Sequence, residues 1–113
     1  MLKKDVLRRQ SDFSAIYNKG KSLGSRYVVL FYKRNNLTYN RLGFLASKKV
    51  GNSVVRNRAR RLMKESFRHM SHKLGMGFDI ILIARVNIKD VKCQEVEKSM
   101  RYLFKKAGMM EAR

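Results

Sequence analysis

The sequence predicts a small α+β sandwich. Three observations carry that prediction. Apolar residues recur at helical spacing in two long stretches, 55–74 and 91–104; they crowd into β-branched and aromatic runs at 27–32 and 78–84; and glycine or asparagine separates these stretches. A chain of 113 residues fits one compact domain that buries about two-thirds of the unfolded surface. No internal repeat or low-complexity linker interrupts it, so residues 1–113 read as a single domain.

Residues 1–10 are basic and lack strong periodicity, which predicts an extended arm in which Leu2, Val6 and Leu7 are free to pack on the domain. Ser11 is suited to cap a short helix whose Phe13, Ile16 and Tyr17 share one side, with Gly20 just past its end. Residues 26–34 follow, and their centre, Tyr27-Val28-Val29-Leu30-Phe31-Tyr32, has strand character. Asn35 and Asn36 supply a turn, and residues 39–47 alternate with Leu42, Phe44 and Ala46 on one face, so an antiparallel hairpin is expected. From Asn52 or Ser53, either of which suits a cap, Val55, Ala59, Leu62, Met63, Phe67, Met70 and Leu74 trace the apolar stripe of a long helix ended by Gly75 and Gly77. Residues 78–84 are almost continuously apolar, as befits a central strand covered on both faces. A last helix over 90–106 buries Val91, Val96, Met100, Leu103 and Phe104 and stops at Gly108. The predicted order is helix, two or more strands, long helix, strand and helix, written αβββαβα with one of the three early strands left unplaced.

Charge narrows the function. Against 8 Asp and Glu stand 27 Lys and Arg, a net charge of +19 that would self-repel in a compact fold without a polyanionic partner. Nucleic acid is the expected partner. No apolar run approaches the ~18 residues of a membrane span, and no secretory leader pattern is visible, so a cytoplasmic chain with no membrane role is expected. The single cysteine, Cys93, excludes an intramolecular disulfide and a cysteine-rich zinc module.

Charge density peaks where the strand at 39–47 gives way to the long helix. Arg56, Arg60, Lys64 and Arg68 repeat every fourth residue and form one ridge, which Arg58 and Arg61 widen. Like charges so close destabilise an isolated helix. Guanidinium forks pair bidentately with phosphate, and a helix N-terminus adds free N–H donors, so the spacing points to a phosphate-bearing ligand. Phe13, Tyr17, Tyr27, Phe31 and Tyr32 are candidate faces on which unpaired bases could stack, with Tyr17 and Phe31 the best placed. The chain is thus read as one RNA-binding domain.

The stretch Lys48-Lys49-Val50-Gly51-Asn52-Ser53-Val54-Val55-Arg56-Asn57-Arg58-Ala59-Arg60-Arg61-Leu62 also resembles the signature of the bacterial ribonuclease P protein subunit, with Arg56-Asn57-Arg58 as its central element. The resemblance extends to Asp12-Phe13 with Tyr17 and Gly20, to Arg26, to the strand through Phe31 and to residues 79–85, without a large insertion or deletion. It implies an accessory protein bound to a catalytic RNA that removes the 5′ leader of precursor tRNA by Mg²⁺-dependent hydrolysis, with the catalytic centre on the RNA and no protein partner required. It further implies that Arg56, Asn57, Arg58, Arg60 and Arg61 contact the RNA or the substrate near the cleavage site; Lys48, Lys49, Asn52, Lys64 and Arg68 complete the expected RNA-binding set. Phe13, Tyr17, Phe31, Lys49, Ser53 and Asn57 match positions lining a cleft for the single-stranded leader, Tyr17 standing where phenylalanine is common. A left-handed β-α-β crossover around the long helix is implied by the resemblance alone, since the general rule is right-handed.

An intrinsic active site is not expected. A protein nuclease needs positioned carboxylates for metals or acid–base work, whereas Asp5, Asp12, Glu65, Asp79, Asp90, Glu95, Glu97 and Glu111 are scattered and read as caps, turns and surface counter-charges. His69 and His72 stand i, i+3 with no third metal ligand apparent in the sequence, and Cys93 has no recognisable partner motif. No catalytic or metal-binding side chain is therefore assigned. A purely structural RNA-binding protein would share the charge and the sandwich but would not account for the signature.

Overall fold

The computed structural model describes residues 5–111. Its order is α1 (Gln10–Lys19), β1 (Lys21–Gly24), β2 (Val28–Arg34), β3 (Arg41–Leu45), α2 (Ser53–Met70), β4 (Phe78–Ala84) and α3 (Cys93–Lys106), with 3₁₀ turns at Ser71–Lys73 and Val86–Ile88. The αβββαβα order and the α+β class are as expected. Several boundaries move. Arg9, not Ser11, precedes the first helical residue and makes no side-chain cap. Asn52 is the cap of α2, its Oδ1 accepting from Val55 N–H at 3.0 Å. The last helix begins at Cys93 rather than at Asp90, because Asp90 has a left-handed backbone (φ 64°) incompatible with a helical turn.

The strands line up as β1-β2-β4-β3. β2 runs antiparallel to both β1 and β4, while β3 is parallel to β4. The expected β2–β3 hairpin is therefore corrected: β4 lies between them. The reason is visible in the connection. Asn35 donates through Nδ2 to Asp79 Oδ1 (3.0 Å) and accepts from Leu37 N–H (2.8 Å); Asn40 donates to the Gly75 carbonyl (2.9 Å) and accepts from Phe78 N–H (2.9 Å). Through Asp79, Gly75 and Phe78 the two asparagines tie the connection to the entry of β4 and hold it open across its end. β4 then pairs along both edges, as its nearly continuous apolar sequence allows. β3, α2 and β4 together form a parallel β-α-β unit.

Alternation splits the sheet into two unequal faces. On one face Val28, Leu30, Leu42, Phe44, Ile80 and Leu82 meet Met63, Phe67 and Met70 of α2 and Val96, Met100, Leu103 and Phe104 of α3. Phe67 sits edge-on between Phe44 and Phe104, both ring centroids 6.0 Å away. Each fully buried side chain of this size contributes about 1.5–3 kcal/mol, so this layer dominates the stability and fixes α2 in place.

The second face has a smaller core, in which Ile81 packs with Ile16 of α1 and with Leu7. Leu7 reaches it because residues 5–9 run beside β3, Leu7 N–H donating to the Leu42 carbonyl at 2.8 Å and Val6 bridging Leu42. The predicted arm is thus partly a docked segment; Leu2 and the rest of residues 1–4 lie outside the described residues. Near one end of this face, Asp79, 3% exposed, accepts a bidentate pair from Arg41 (2.8 and 2.7 Å), which also stands 3.5 Å from Asp12. Asp79 is therefore not a surface counter-charge, as its sequence position suggested, but a buried ion-pair partner. That pairing holds the Arg41 guanidinium above its ordinary pKa.

Candidate RNA interface

The register places Ser22, Phe31, Ile81 and Gly43 in one row across the α1 face. α1 lies over this row. Phe13 packs so closely above Gly43 that a Cβ there would meet the ring at 3.2 Å, which is why the strand carries glycine at this point. Farther along α1, Tyr17 is 40% exposed and meets Phe31 edge to face, centroids 5.0 Å apart and planes at 87°. Partial burial raises the Tyr17 phenol pKa above its ordinary value.

The next row on the same face is Val29, Ile83 and Leu45, each only half-buried. Sequence reading missed this open apolar floor, since it took residues 78–84 as covered on both sides; Ile83 is the one residue of β4 that is not. The floor leads to the C-terminal end of β3, and from there the chain runs through exposed Lys48 and Lys49 to Asn52 and Ser53 at the start of α2. Of the five aromatic candidates, Tyr27 and Tyr32 pack against the main core instead. They are removed from the cleft.

The cations of α2 divide by surroundings. Among the described residues, Lys48, Lys49, Arg56, Arg60, Arg61 and Lys64 have no carboxylate partner. Arg56 donates to Ser53 Oγ at 3.1 Å, while its buried Nε finds no acceptor. Arg60 donates to Asn57 Oδ1, a neutral group that leaves its charge intact. Arg58, two residues from Arg56 and so about 200° around the helix, stands on the α3 flank 3.7 Å from Asp90. Arg68 is held by Glu65 at 2.5 Å, an interaction that lowers the Glu65 carboxyl pKa and raises that of Arg68. The ridge is therefore fully cationic only from Arg56 to Lys64.

A groove between α2 and the β3 edge continues that surface. Leu42 and Phe67 form its apolar base and Arg61, Lys64 and Arg68 stand along one wall. Lys64 also holds its ammonium 6.0 Å above the Phe44 ring. Among the described residues no three acids gather into an oxygen-lined metal site: Asp12 and Asp79 serve Arg41, Asp90 serves Arg58, Glu65 serves Arg68 and His69, and Glu97 serves His69. Among the described residues no helix is long and apolar enough to cross a membrane.

Comparisons with known proteins agree with this architecture. A family model described as Ribonuclease P matches residues 1–108. The ribonuclease P protein component of Alkaliphilus metalliredigens is 43% identical over 110 residues, covering 97% of this chain and 99% of the relative. Among solved structures, an RNase P protein mutant of Staphylococcus aureus with defective mRNA degradation activity superposes with a TM-score of 0.87 at 33% identity, covering 96% of this chain and 92% of that one. The Thermotoga maritima RNase P protein gives 0.81 at 33% identity, with 88% and 94% covered. Signature, fold and relatives converge: this chain belongs to the bacterial ribonuclease P protein family.

Proposed function

We propose that this chain is the protein component of ribonuclease P, binding the catalytic RNA and the 5′ leader of precursor tRNA and assisting Mg²⁺-dependent removal of that leader. The observation that carries this reading is the juxtaposition of a phosphate-seeking ridge, Arg56 to Lys64, with an apolar and aromatic cleft around Tyr17 and Phe31. Cations along α2 neutralise backbone charge where two RNAs must approach each other, and the cleft gives leader bases a surface on which to stack. Asn52, Ser53 and Asn57 add polar groups at the start of α2.

The reaction chemistry belongs to the RNA in this reading. Magnesium takes oxygen donors in near-octahedral geometry, whereas Asp12, Asp79, Asp90, Glu65 and Glu97 of this chain face Arg41, Arg58, Arg68 or His69. The protein's part is to bind and orient, and a cytoplasmic location follows from that role.

The test is cleavage of a 5′-extended precursor tRNA at low Mg²⁺ by the RNA alone, by the protein alone and by both. Correct 5′ maturation that is much faster with both supports the reading. No gain from a folded protein would leave a structural RNA-binding role. Cutting of the precursor, or of an mRNA given the activity of the Staphylococcus aureus relative, by the protein alone would place chemistry on this chain.

A further inference from the structure

The C-terminal half of α2 carries a cluster that RNA binding does not use. His69 of α2 and Cys93 and Glu97 of α3 bring one nitrogen, one sulfur and one carboxylate oxygen within 4.8 Å of one another. Cys93 and Glu97 are four residues apart and share a helix face; His69 reaches them from the facing helix. We infer that this seam between α2 and α3 is a binding site for a zinc-type divalent transition metal, with His69, Cys93 and Glu97 as its protein ligands.

The surroundings are organised as such a site requires. His69 Nδ1 faces Glu97 Oε1 at 3.0 Å, and Nε2 faces Glu65 Oε1 at 3.2 Å. With Nδ1 given to a metal, Nε2–H donates to Glu65, itself gripped by Arg68; a carboxylate behind a ligating imidazole fixes its tautomer and orientation. Behind Cys93, the fully buried Ser66 stands with Oγ 3.4 Å from the sulfur and donates to the Leu62 carbonyl at 2.9 Å. Both helices are clamped by the main core, so the ligands project from rigid supports.

The donor types choose the metal. A thiolate, an imidazole and a carboxylate select zinc and its neighbours over magnesium or calcium, and three protein ligands leave a fourth tetrahedral position for water. Zinc-bound donors lie roughly 3.3–3.7 Å apart, as follows from bonds of about 2.0–2.3 Å. Rotation about side-chain bonds closes the present spacing, and His69, 42% exposed, leaves an entry path. A simple ion pair between His69 and its two carboxylates accounts for neither the placement of Cys93 nor its approach to the same point. The site lies on the flank of α2 away from Arg56, Arg60 and Lys64, so a metal there would pin α3 to α2 without covering the RNA-binding ridge. It is independent of the proposed RNA function.

The full-length protein, stripped with a chelator and free of RNA, is titrated with Co²⁺ and then with Zn²⁺. The expected result is 1:1 binding of Co²⁺ with a thiolate-to-metal charge-transfer band that Zn²⁺ abolishes. Cys93→Ser should remove the band. Glu97→Gln should weaken Zn²⁺ binding by at least about 10-fold, Glu65→Gln by about 10-fold through loss of the support behind His69, and His72→Ala should change nothing. Absence of saturable 1:1 binding, a Co²⁺ spectrum without thiolate charge transfer, or affinity unaltered by Glu97→Gln would overturn the assignment. The band is read on the unaltered chain, so a poorly folding Cys93 variant does not obscure the answer.

Discussion

The cations of α2 are treated in opposite ways toward its two ends, with Arg58, paired to Asp90, the exception near the N-terminus. Toward its N-terminus Arg56, Arg60, Arg61 and Lys64 have no acidic partner among the described residues, and Arg56 Nε is buried with no acceptor. Toward its C-terminus Arg68 is gripped by Glu65, and His69 lies between Glu65 and Glu97. The helix N-terminus already carries partial positive charge, so leaving four cations unpaired near that end is the costlier arrangement. The protein completes its charge pairs where α2 packs on α3 and leaves them open along the ridge proposed to meet RNA.

Substitutions can test that contrast from either side. The largest effect is expected at the most complete internal pair: Arg41→Ala leaves Asp79 buried with only Asn35 as a polar partner and should cost about 3 kcal/mol of stability in urea unfolding. A loss below about 1 kcal/mol would mean that water replaces the guanidinium freely. In the cleft, Phe31→Ala should weaken leader binding by about 1–3 kcal/mol while affinity for the catalytic RNA is largely kept. Equal losses for both ligands, or unfolding, would return Phe31 to the core. Asn52→Ala removes the α2 cap and should cost about 1 kcal/mol in the same unfolding experiment. The smallest effect is expected from Glu65→Gln, which releases Arg68 and should tighten RNA binding by about a factor of two, since exposed pairs are weak. Acidification should act in the same direction: the Glu65 carboxyl pKa is lowered in the fold, so its grip on Arg68 is complete above the ordinary carboxylate range and is lost as pH falls through the folded value.

Local pattern carried the sequence reading a long way because helices and strands are local objects. The stripe from Val55 to Leu74 and the run from Phe78 to Ala84 appear where their periodicity placed them. Strand pairing is not local. Alternation around Leu42 and Phe44 identified β3 but could not reveal that Asn35 and Asn40 tie its approach to the entry of β4, 35 to 44 residues away in the chain. β1, with the sequence Lys-Ser-Leu-Gly, is an edge strand too short and polar to announce itself.

The candidate site divides in the same way. The i+4 spacing of Arg56, Arg60 and Lys64 follows from helix geometry, so the ridge was legible. Its end at Arg68 follows from the local i,i+3 pair with Glu65, but the neutralisation of Arg58 on its flank was not legible, because Asp90 reaches Arg58 only through the fold. His69 likewise meets Glu97 across 28 residues, and its two companions in the cluster, Cys93 and Glu97, both come from α3, while His72 takes no part. Tyr27 and Tyr32 had the composition of stacking residues, but strand parity and the turn before β2 pack them against the main core.

The central claim is that the unpaired half of α2 is the RNA contact, and the most direct test is the salt dependence of affinity for the catalytic RNA. The log-affinity against log-salt slope is measured for the native protein, for Arg56→Ala with Arg60→Ala, and for Arg58→Ala with Arg68→Ala. The account predicts that the first pair flattens the slope by about two units and that the second pair, whose members already face Asp90 and Glu65, flattens it by less. An unchanged slope for the folded Arg56, Arg60 variant, or a larger change in the second pair, would contradict it.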